Sequence, residues 1–401
     1  MSHKPVIVLT GGGSGGHITP ILAVAAELKA RKPDSEIIYI GQKGDGLGDI
    51  PAEHPAIDHA YTVRAGKLRR YHGEGFRQLL DIPTGFKNAR DAVYVVIGIF
   101  QSRKLLKQIE PSIIFIKGGF VGVPVGLAAA NLRIPYITHD SDAIPGLANR
   151  IISHWATLHA VALSKDIYNY PQDKTVTTGI PLQKEFRLVS EELKQKYRSD
   201  LGITNSEKLL FIIGGGLGAQ RINNAVLQIM PHLLRQYRQL RVVHVVGRLN
   251  QVDMEKGYDE VLDAVERSRI KVCGYISDVY IYSGAADIII TRAGATNLAE
   301  FALQGKACII IPSPFLTGGH QLKNAQYLMN RQAAIMIDES EVQDDPNRLA
   351  KKISILLKNE NLQKELGDKL ASFAKPKATE ELADLLLQQL HEKHKKQNEV
   401  S

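Results

Sequence analysis

Two apolar runs in this 401-residue chain each feed directly into a glycine-rich turn, and that pairing leaves few folds open. Val6-Ile7-Val8-Leu9 leads to Gly11-Gly12-Gly13-Ser14-Gly15-Gly16-His17, and Leu209-Leu210-Phe211-Ile212-Ile213 leads to Gly214-Gly215-Gly216-Leu217-Gly218-Ala219. A short continuous apolar run reads as a strand buried on both faces, as in a parallel sheet. Glycines after it permit a tight turn into a helix and let backbone N–H groups approach an anion. One such turn is common among α/β proteins. A pair heading two halves predicts two similar α/β domains facing each other across a cleft, an arrangement for joining two substrates. A chain of this length exceeds one ordinary core and fits two domains.

Strand and helix signals alternate through both halves, which predicts parallel sheets with helices on both faces. Expected strands are Val6–Thr10, Glu36–Ile40, Ala60–Val63, Ser112–Ile116, Pro135–Thr138 and Val176–Thr178, then Leu209–Ile213, Arg241–Val246, Ile270–Val272, Asp287–Thr291, Ala307–Pro312 and Ala334–Ile337. The division predicted is an N-terminal domain over 1–190, a charged linker over 191–207, a second domain over 208–375, and a helix with a charged tail over 376–401. In that last segment Leu382, Leu386 and Leu390 recur at helical spacing, and His391–Ser401 reads as a disordered tail.

The net charge of +8 favours an anionic partner. Basic residues are not interleaved with aromatics in a nucleic-acid-binding pattern, so nucleic acid is not expected. Cys273 and Cys308, the only two cysteines, read as reduced core residues, and no Cys/His metal cluster is visible. The N-terminus enters a strand without a signal-peptide apolar region. The longest apolar run, Ala92–Phe100, is about half of a membrane span. A cytoplasmic chain that does not cross a membrane is expected. Segment 64–90 departs from the α/β pattern: Lys67, Arg69, Arg70 and Arg77 are mixed with Tyr71, Phe76 and Phe86. It reads either as a long solvated connection or as a surface lying on anionic phospholipid, its cations at the headgroups and its apolar side chains in the interface.

Six segments then fall into order: GGGSGGHITP at Gly11–Pro20, KGGFVG at Lys117–Gly122, HDSDAIPGLAN at His139–Asn149, GGGLGA at Gly214–Ala219, TRAGATNLAE at Thr291–Glu300 and HQLKNA at His320–Ala325. Over about residues 5–340 this set resembles the MurG family of UDP-N-acetylglucosamine:N-acetylmuramyl-(pentapeptide) pyrophosphoryl-undecaprenol N-acetylglucosamine transferases. The resemblance implies a GT-B fold, with two Rossmann-like domains. It implies an inverting transfer of GlcNAc from UDP-GlcNAc onto the lipid-linked acceptor lipid I, giving lipid II for peptidoglycan. It also implies a peripheral location on the cytoplasmic face of the cell membrane, and no metal or cofactor.

A diphosphate needs N–H donors or a helix N-terminus, which the second glycine turn or Arg292-Ala293-Gly294-Ala295 can supply. A carboxylate can accept from both hydroxyls of a ribose, and Glu300 matches the family's ribose-binding glutamate. The donor set implied by the resemblance is Ser14, Gly15, Gly16, Gly215, Gly216, Ile276, Ala293, Gly294, Ala295, Thr296, Glu300, His320, Gln321 and Asn324. The acceptor set implied is Gly12, Gly13, Gly118, Gly119 and Asp142. An inverting transfer needs a base for the acceptor hydroxyl. His17 matches the family's histidine and, with an ordinary pKa near 6.5, suits that task. Asp140 and Asp142 stand where the family carries Glu and Asn, and either is an alternative base or acceptor ligand.

The chain departs from the family where Gly216 and Leu217 replace a polar Ser-Gln pair. It departs again at Gly179-Ile180-Pro181-Leu182-Gln183, which lacks the arginine expected near the diphosphate. Lys184 or Arg221 is a possible replacement charge. Three other readings stay open: a GT-B transferase acting on another lipid, a UDP-GlcNAc 2-epimerase, and a non-catalytic nucleotide-sugar-binding protein.

Overall fold

The structure, a computed structural model, describes residues 4–13, 15–45, 48–67, 82–215, 218–314 and 319–398, without the side chains of 82–86 and 392–398. The chain forms two compact units, Met1–Lys184 together with Lys375–Ser401, and Glu185–Ala374.

The first unit is built on β1 (Val6–Thr10), β2 (Glu36–Gln42), β3 (His59–Val63), β4 (Ile113–Ile116), β5 (Tyr136–Asp140), β6 (Leu158–Val161) and β7 (Thr175–Thr177). They lie parallel in the order β3-β2-β1-β4-β5-β6-β7. Alternate residues serve opposite faces, as a two-residue side-chain period requires. Ile7 and Leu9 pack with Ile18, Ile21 and Leu28 of helix Gly15–Arg31 on one face. Val8, Ile114 and Ile116 pack with Leu106, Val125 and Ala129 on the other.

The second unit repeats the plan with β8 (Lys208–Ile213), β9 (Leu240–Val245), β10 (Ile270–Cys273), β11 (Ile288–Thr291), β12 (Cys308–Ile310) and β13 (Ile335–Met336). Their order is β10-β9-β8-β11-β12-β13, again parallel. Leu210 and Ile212 face helix Gln220–Gln236, while Phe211 and Ile213 face Leu298 and Phe301 of helix Ala295–Gln304. In each sheet the order reverses beside the first strand, between β1 and β4 and between β8 and β11. Such a reversal opens a crevice at the carboxyl ends of the strands, where ligands of open α/β sheets bind.

Three expectations need correction. Strand β6 is missing from the predicted set because His159 interrupts its apolar run; the ring is buried, stacked on Tyr170 at 4.2 Å and 2.8 Å from Thr138 Oγ1. The segment expected as a linker, 191–207, carries helix Glu191–Asp200 inside the second unit. Ser190 caps that helix by accepting from Leu193 N, and Lys194 and Arg198 anchor it to Asp287. The expected tail is helical as far as Asn398. That last helix belongs to the first unit, where Leu382, Leu386 and Leu390 join the β1 core and Asp384 pairs with Arg31. Among the described residues no helix is long and apolar enough to cross a membrane.

Candidate functional site

In the first unit the crevice lies between β1 and β4. Tyr39 donates its hydroxyl to Gly11 O at 2.5 Å, and Gly13 N donates to Asp45 Oδ2 at 3.0 Å. The turn after β4 nests against this one. Gly119 has φ +79°, and a Cβ there would fall 2.6 Å from Gly12 O, so only glycine lets the two turns meet. Gly12, Gly13, Gly118 and Gly119, four of the five predicted acceptor residues, are therefore brought to one place.

His17 stands in the first turn of helix Gly15–Arg31. Its pKa is not the ordinary one expected: burial, then the Lys117 charge, push it down to about 4 against an opposing pull from Asp142. The ring is neutral at pH 7 and has a carboxylate near it. Lys117, directly after β4, is only 2% exposed. Burial lowers its pKa to about 8, while Asp142 and Asp140 work to keep it charged. Its Nζ donates to Ser141 Oγ.

The two aspartates after His139 differ. Asp140 is buried, with Oδ1 accepting from Gly146 N at 2.9 Å and Oδ2 from Tyr170 Oη at 2.8 Å. Burial raises its pKa against these bonds. One oxygen holds loop 141–146 and the other holds Tyr170, so Asp140 is poorly placed to take a proton from a substrate. Asp142 is half-buried on that loop, its carbonyl accepting from Tyr168 Oη at 2.9 Å. His139 donates Nε2–H to Gly179 O at 2.7 Å, and burial followed by the Lys117 charge keeps it well below the usual histidine range.

In the second unit the crevice lies between β8 and β11. Gly294 precedes helix Ala295–Gln304 with no side-chain cap. Space is open where a Cβ on Gly294 or Gly215 would point. The first-turn N–H groups of such a helix lack intrahelical partners and favour an anion. Behind them Glu300 is 9% exposed and has no hydrogen-bond or ion-pair partner among the described residues. Burial pushes its pKa up to about 8. A native core seldom keeps an unpaired buried carboxyl, and where one persists a ligand that supplies donors accounts for it.

Neighbouring residues are spent on the scaffold. Asn324 Nδ2 donates to Ala293 O at 3.1 Å, tying helix His320–Met329 to the turn before Gly294. Gln321 Oε1 accepts from Ser313 N at 2.9 Å, which orients its amide toward loop 313–319. The side chains of Ile276 and Ala293 are in the core, which leaves only their backbone to face the crevice. Thr296 is buried and His320 half-buried. Neither proposed replacement charge is idle: Lys184 Nζ lies 3.3 Å from Glu27, and Arg221 pairs at 3.0 Å with Glu339, which also binds Arg292. Ser14, Gly216, Leu217, Arg69, Arg70, Tyr71, Phe76 and Arg77 lie outside the described residues, as does the side chain of Phe86.

Sequence reasoning missed Lys117, Ser141 and Tyr170 at the first crevice and Glu339 at the second. Lys117 did carry a signal, since a charged residue closing a buried parallel strand sits where such sheets bind ligands. It also missed a relay behind the second glycine turn. Asn223 donates Nδ2–H to Val246 O at 2.9 Å, which turns its Oδ1 toward His244 Nε2 at 3.2 Å, and His244 Nδ1 meets Tyr258 Oη at 2.9 Å. Val246 O in turn sits 2.1 Å from where a Cβ on Gly218 would be, so the relay backs that turn directly.

The profile of the glycosyltransferase family 28 N-terminal domain matches residues 7–161, and that of its C-terminal domain matches residues 209–382. The UDP-N-acetylglucosamine--N-acetylmuramyl-(pentapeptide) pyrophosphoryl-undecaprenol N-acetylglucosamine transferase of Geotalea daltonii is 31% identical over 384 residues, covering 94% of this chain and 96% of its own length. Among solved structures, Acinetobacter baumannii MurG superposes with a TM-score of 0.69 at 23% identity, over 96% of this chain and 100% of that one. The UDP-GlcNAc 2-epimerase of Neisseria meningitidis, solved with UDP-GlcNAc bound, superposes with a TM-score of 0.63 at 14% identity, over 96% of this chain and 100% of that one.

Proposed function

Because the chain belongs to glycosyltransferase family 28, and within it to the MurG family, we propose that it transfers GlcNAc from UDP-GlcNAc to lipid I and so makes lipid II. The acceptor hydroxyl oxygen bonds to the anomeric carbon of GlcNAc, and the bond from that carbon to the diphosphate oxygen breaks with inversion. The electron pair leaves with UDP, and the hydroxyl proton passes to His17. Asp142 stabilises the imidazolium that forms. Backbone N–H groups after Gly294 and around Gly215 meet the diphosphate, and Glu300 accepts from the ribose. The observation that carries the donor half of this reading is the buried, unpartnered carboxyl of Glu300 behind an uncapped helix N-terminus. Incubation with labelled UDP-GlcNAc and lipid I tests the whole: label moves into lipid II, and its failure to do so removes the assignment.

Glu300→Ala is expected to weaken UDP-GlcNAc binding by roughly 1.5–3 kcal/mol, the scale of hydrogen bonds to a charged group. The free carboxyl has a pKa of about 8, and ribose hydroxyls favour its ionised form. The complex then holds fewer protons than its parts, so affinity rises with pH up to about 8 and levels off above it. Calorimetry from pH 6 to 9 shows this slope in the parent and none in the variant; equal affinities in both take Glu300 out of the site.

A lipid-linked acceptor places its pyrophosphate at a bilayer surface, so the first unit has to reach that surface. Helix Ile82–Ile109 exposes Val93, Val96 and Phe100, spaced three and four apart on one face, at 56%, 53% and 70%. Exposed Arg103, Lys104 and Lys107 continue the face, and Lys87 and Arg90 precede it. Apolar residues for insertion and cations for headgroups make this a fit for an anionic membrane. It carries the expectation first placed on segment 64–90, of which residues 68–81 lie outside the described part. Val96→Ser with Phe100→Ser is expected to weaken sedimentation with anionic vesicles by about ten-fold at unchanged thermal midpoint, since partial burial of two such side chains is worth that much. Undiminished binding moves the membrane face elsewhere.

A further inference from the structure

Lys117 is not among the expected site residues, yet it sits beside those of the first crevice. Its backbone N donates to Thr10 O at 2.9 Å, at the root of the first glycine turn, and its ammonium reaches across to Ser141 on the loop after β5. A Cβ on Gly11 would stand 3.1 Å from Lys117 Cβ, so stem and turn are in contact. Loop 141–146 is otherwise held by Asp140 Oδ1 on Gly146 N and by Tyr168 Oη on Asp142 O. Lys117 adds a tie from β4, and it brings a positive charge.

The charged and titratable groups of the first crevice come from three neighbouring strand ends and one loop; those that act on His17 are Lys117, Asp142 and His139. Lys117 follows β4, and His139, Asp140 and Asp142 end or follow β5. Asp45 lies beyond β2, bound to Gly13 N. A carboxylate next to a histidine favours the imidazolium, a form that cannot take a proton. A buried ammonium is stable only beside counter-charge, and these aspartates provide it. In return it offsets one of their charges.

We propose that Lys117 is a positioning residue for the transfer: buried at the end of β4, it ties the Asp142 loop to that strand end through Ser141 and sets a fixed positive charge against the carboxylates of the first crevice. This rests on the reading of His17 as the base. Lysine is well suited to the role, since its compact charge on a long stem reaches Ser141 from the strand end.

The test separates the tie from the charge. Lys117→Gln keeps a donor for Ser141 and removes the charge; Lys117→Arg keeps the charge. The His17 ring is titrated by NMR in the full-length protein, its signal assigned by loss in His17→Gln. In Lys117→Gln the titration midpoint is expected to rise by roughly one pH unit, the size of a nearby unit charge, and the acid limb of the kcat/KM profile to move up with it. Lys117→Arg is expected to keep the parent midpoint and limb. An unmoved midpoint in a Lys117→Gln protein with the parent thermal transition overturns the proposal, as does an arginine variant that behaves like the glutamine one. Should glutamine prevent folding, Lys117→Met supplies the uncharged comparison. Because the titration reads the ring itself, its result is independent of whether His17 is the base, which the turnover of His17→Ala decides.

Discussion

Replacing His17 with alanine is expected to lower turnover by roughly 10²–10⁴-fold, the usual contribution of a positioned general base, with UDP-GlcNAc affinity nearly unchanged. The size follows from the site. The ring is neutral at working pH because burial and Lys117 hold its pKa near 4, so nearly every molecule has the base in its accepting form. A base of such low pKa is weak in its resting state. It needs a partner that favours the imidazolium as the proton arrives, and Asp142 is the group that raises the His17 pKa. Asp142→Asn in the same assay therefore also lowers kcat, by less than removal of the ring. Single-turnover measurements with saturating donor separate this from a binding defect. A His17→Ala enzyme with turnover near that of the parent would pass the role to Asp142 or to a mechanism with no side-chain base.

The largest effect on stability is expected at Asp287. Its carboxylate accepts from Lys194 at 2.7 Å, from Arg198 at 3.1 Å and from Leu209 N at 2.7 Å. Burial works to raise its pKa, but Lys194, the Leu209 N–H and Arg198 outweigh it and hold the group below the ordinary carboxylate range. Asp287→Ala leaves the buried Arg198 guanidinium with backbone carbonyls but without its counter-charge and is expected to destabilise the second unit by about 3–5 kcal/mol. The folded pKa lies below the unfolded one. Its contribution is therefore complete above about pH 4 and fades as pH falls through the folded value. The gap between parent and variant should narrow in acid. Trp155, the only tryptophan, belongs to the first unit, so the second is followed by hydrogen exchange of β8 and β11 amides under denaturant. Equal protection in the two proteins would show that the pairs contribute little.

The same network explains what sequence reading missed. Segment 191–207 looks like a linker because its residues are charged and no strand pattern runs through it. Its helix is held by Lys194 and Arg198 reaching a carboxylate nearly a hundred positions later, a long-range pairing with no local signature. Strand β6 is hidden for a related reason, since the polarity of His159 is satisfied by Thr138 and Tyr170 from elsewhere in the chain. Elements that hold themselves are the legible ones: β1, β4, β8 and β11 are apolar runs ending in glycine turns, and their order follows. At the crevices, the motifs pointed to His17 and Glu300, which the fold places on the helices Gly15–Arg31 and Ala295–Gln304. That Asp140 is locked by Tyr170 and Gly146 while Asp142 stands on the loop that follows depends on folded geometry. So does Lys117, whose meaning comes from the loop it reaches.

The return of the last helix to the first unit has a consequence for synthesis. The chain passes from the first unit to the second after Lys184 and comes back at Lys375. Residues 185–374 are continuous and can close their core as they leave the ribosome, in keeping with the vectorial folding of domains. The unit begun first cannot finish first. Its β1 core includes Leu382, Leu386 and Leu390, so the face carried by helix Gly15–Arg31 stays open until nearly the whole chain has been made. The first crevice is thus assembled on a unit whose completion waits for Leu382, Leu386 and Leu390, and a nascent chain that already holds its second unit folded still presents its first as an unfinished surface to chaperones.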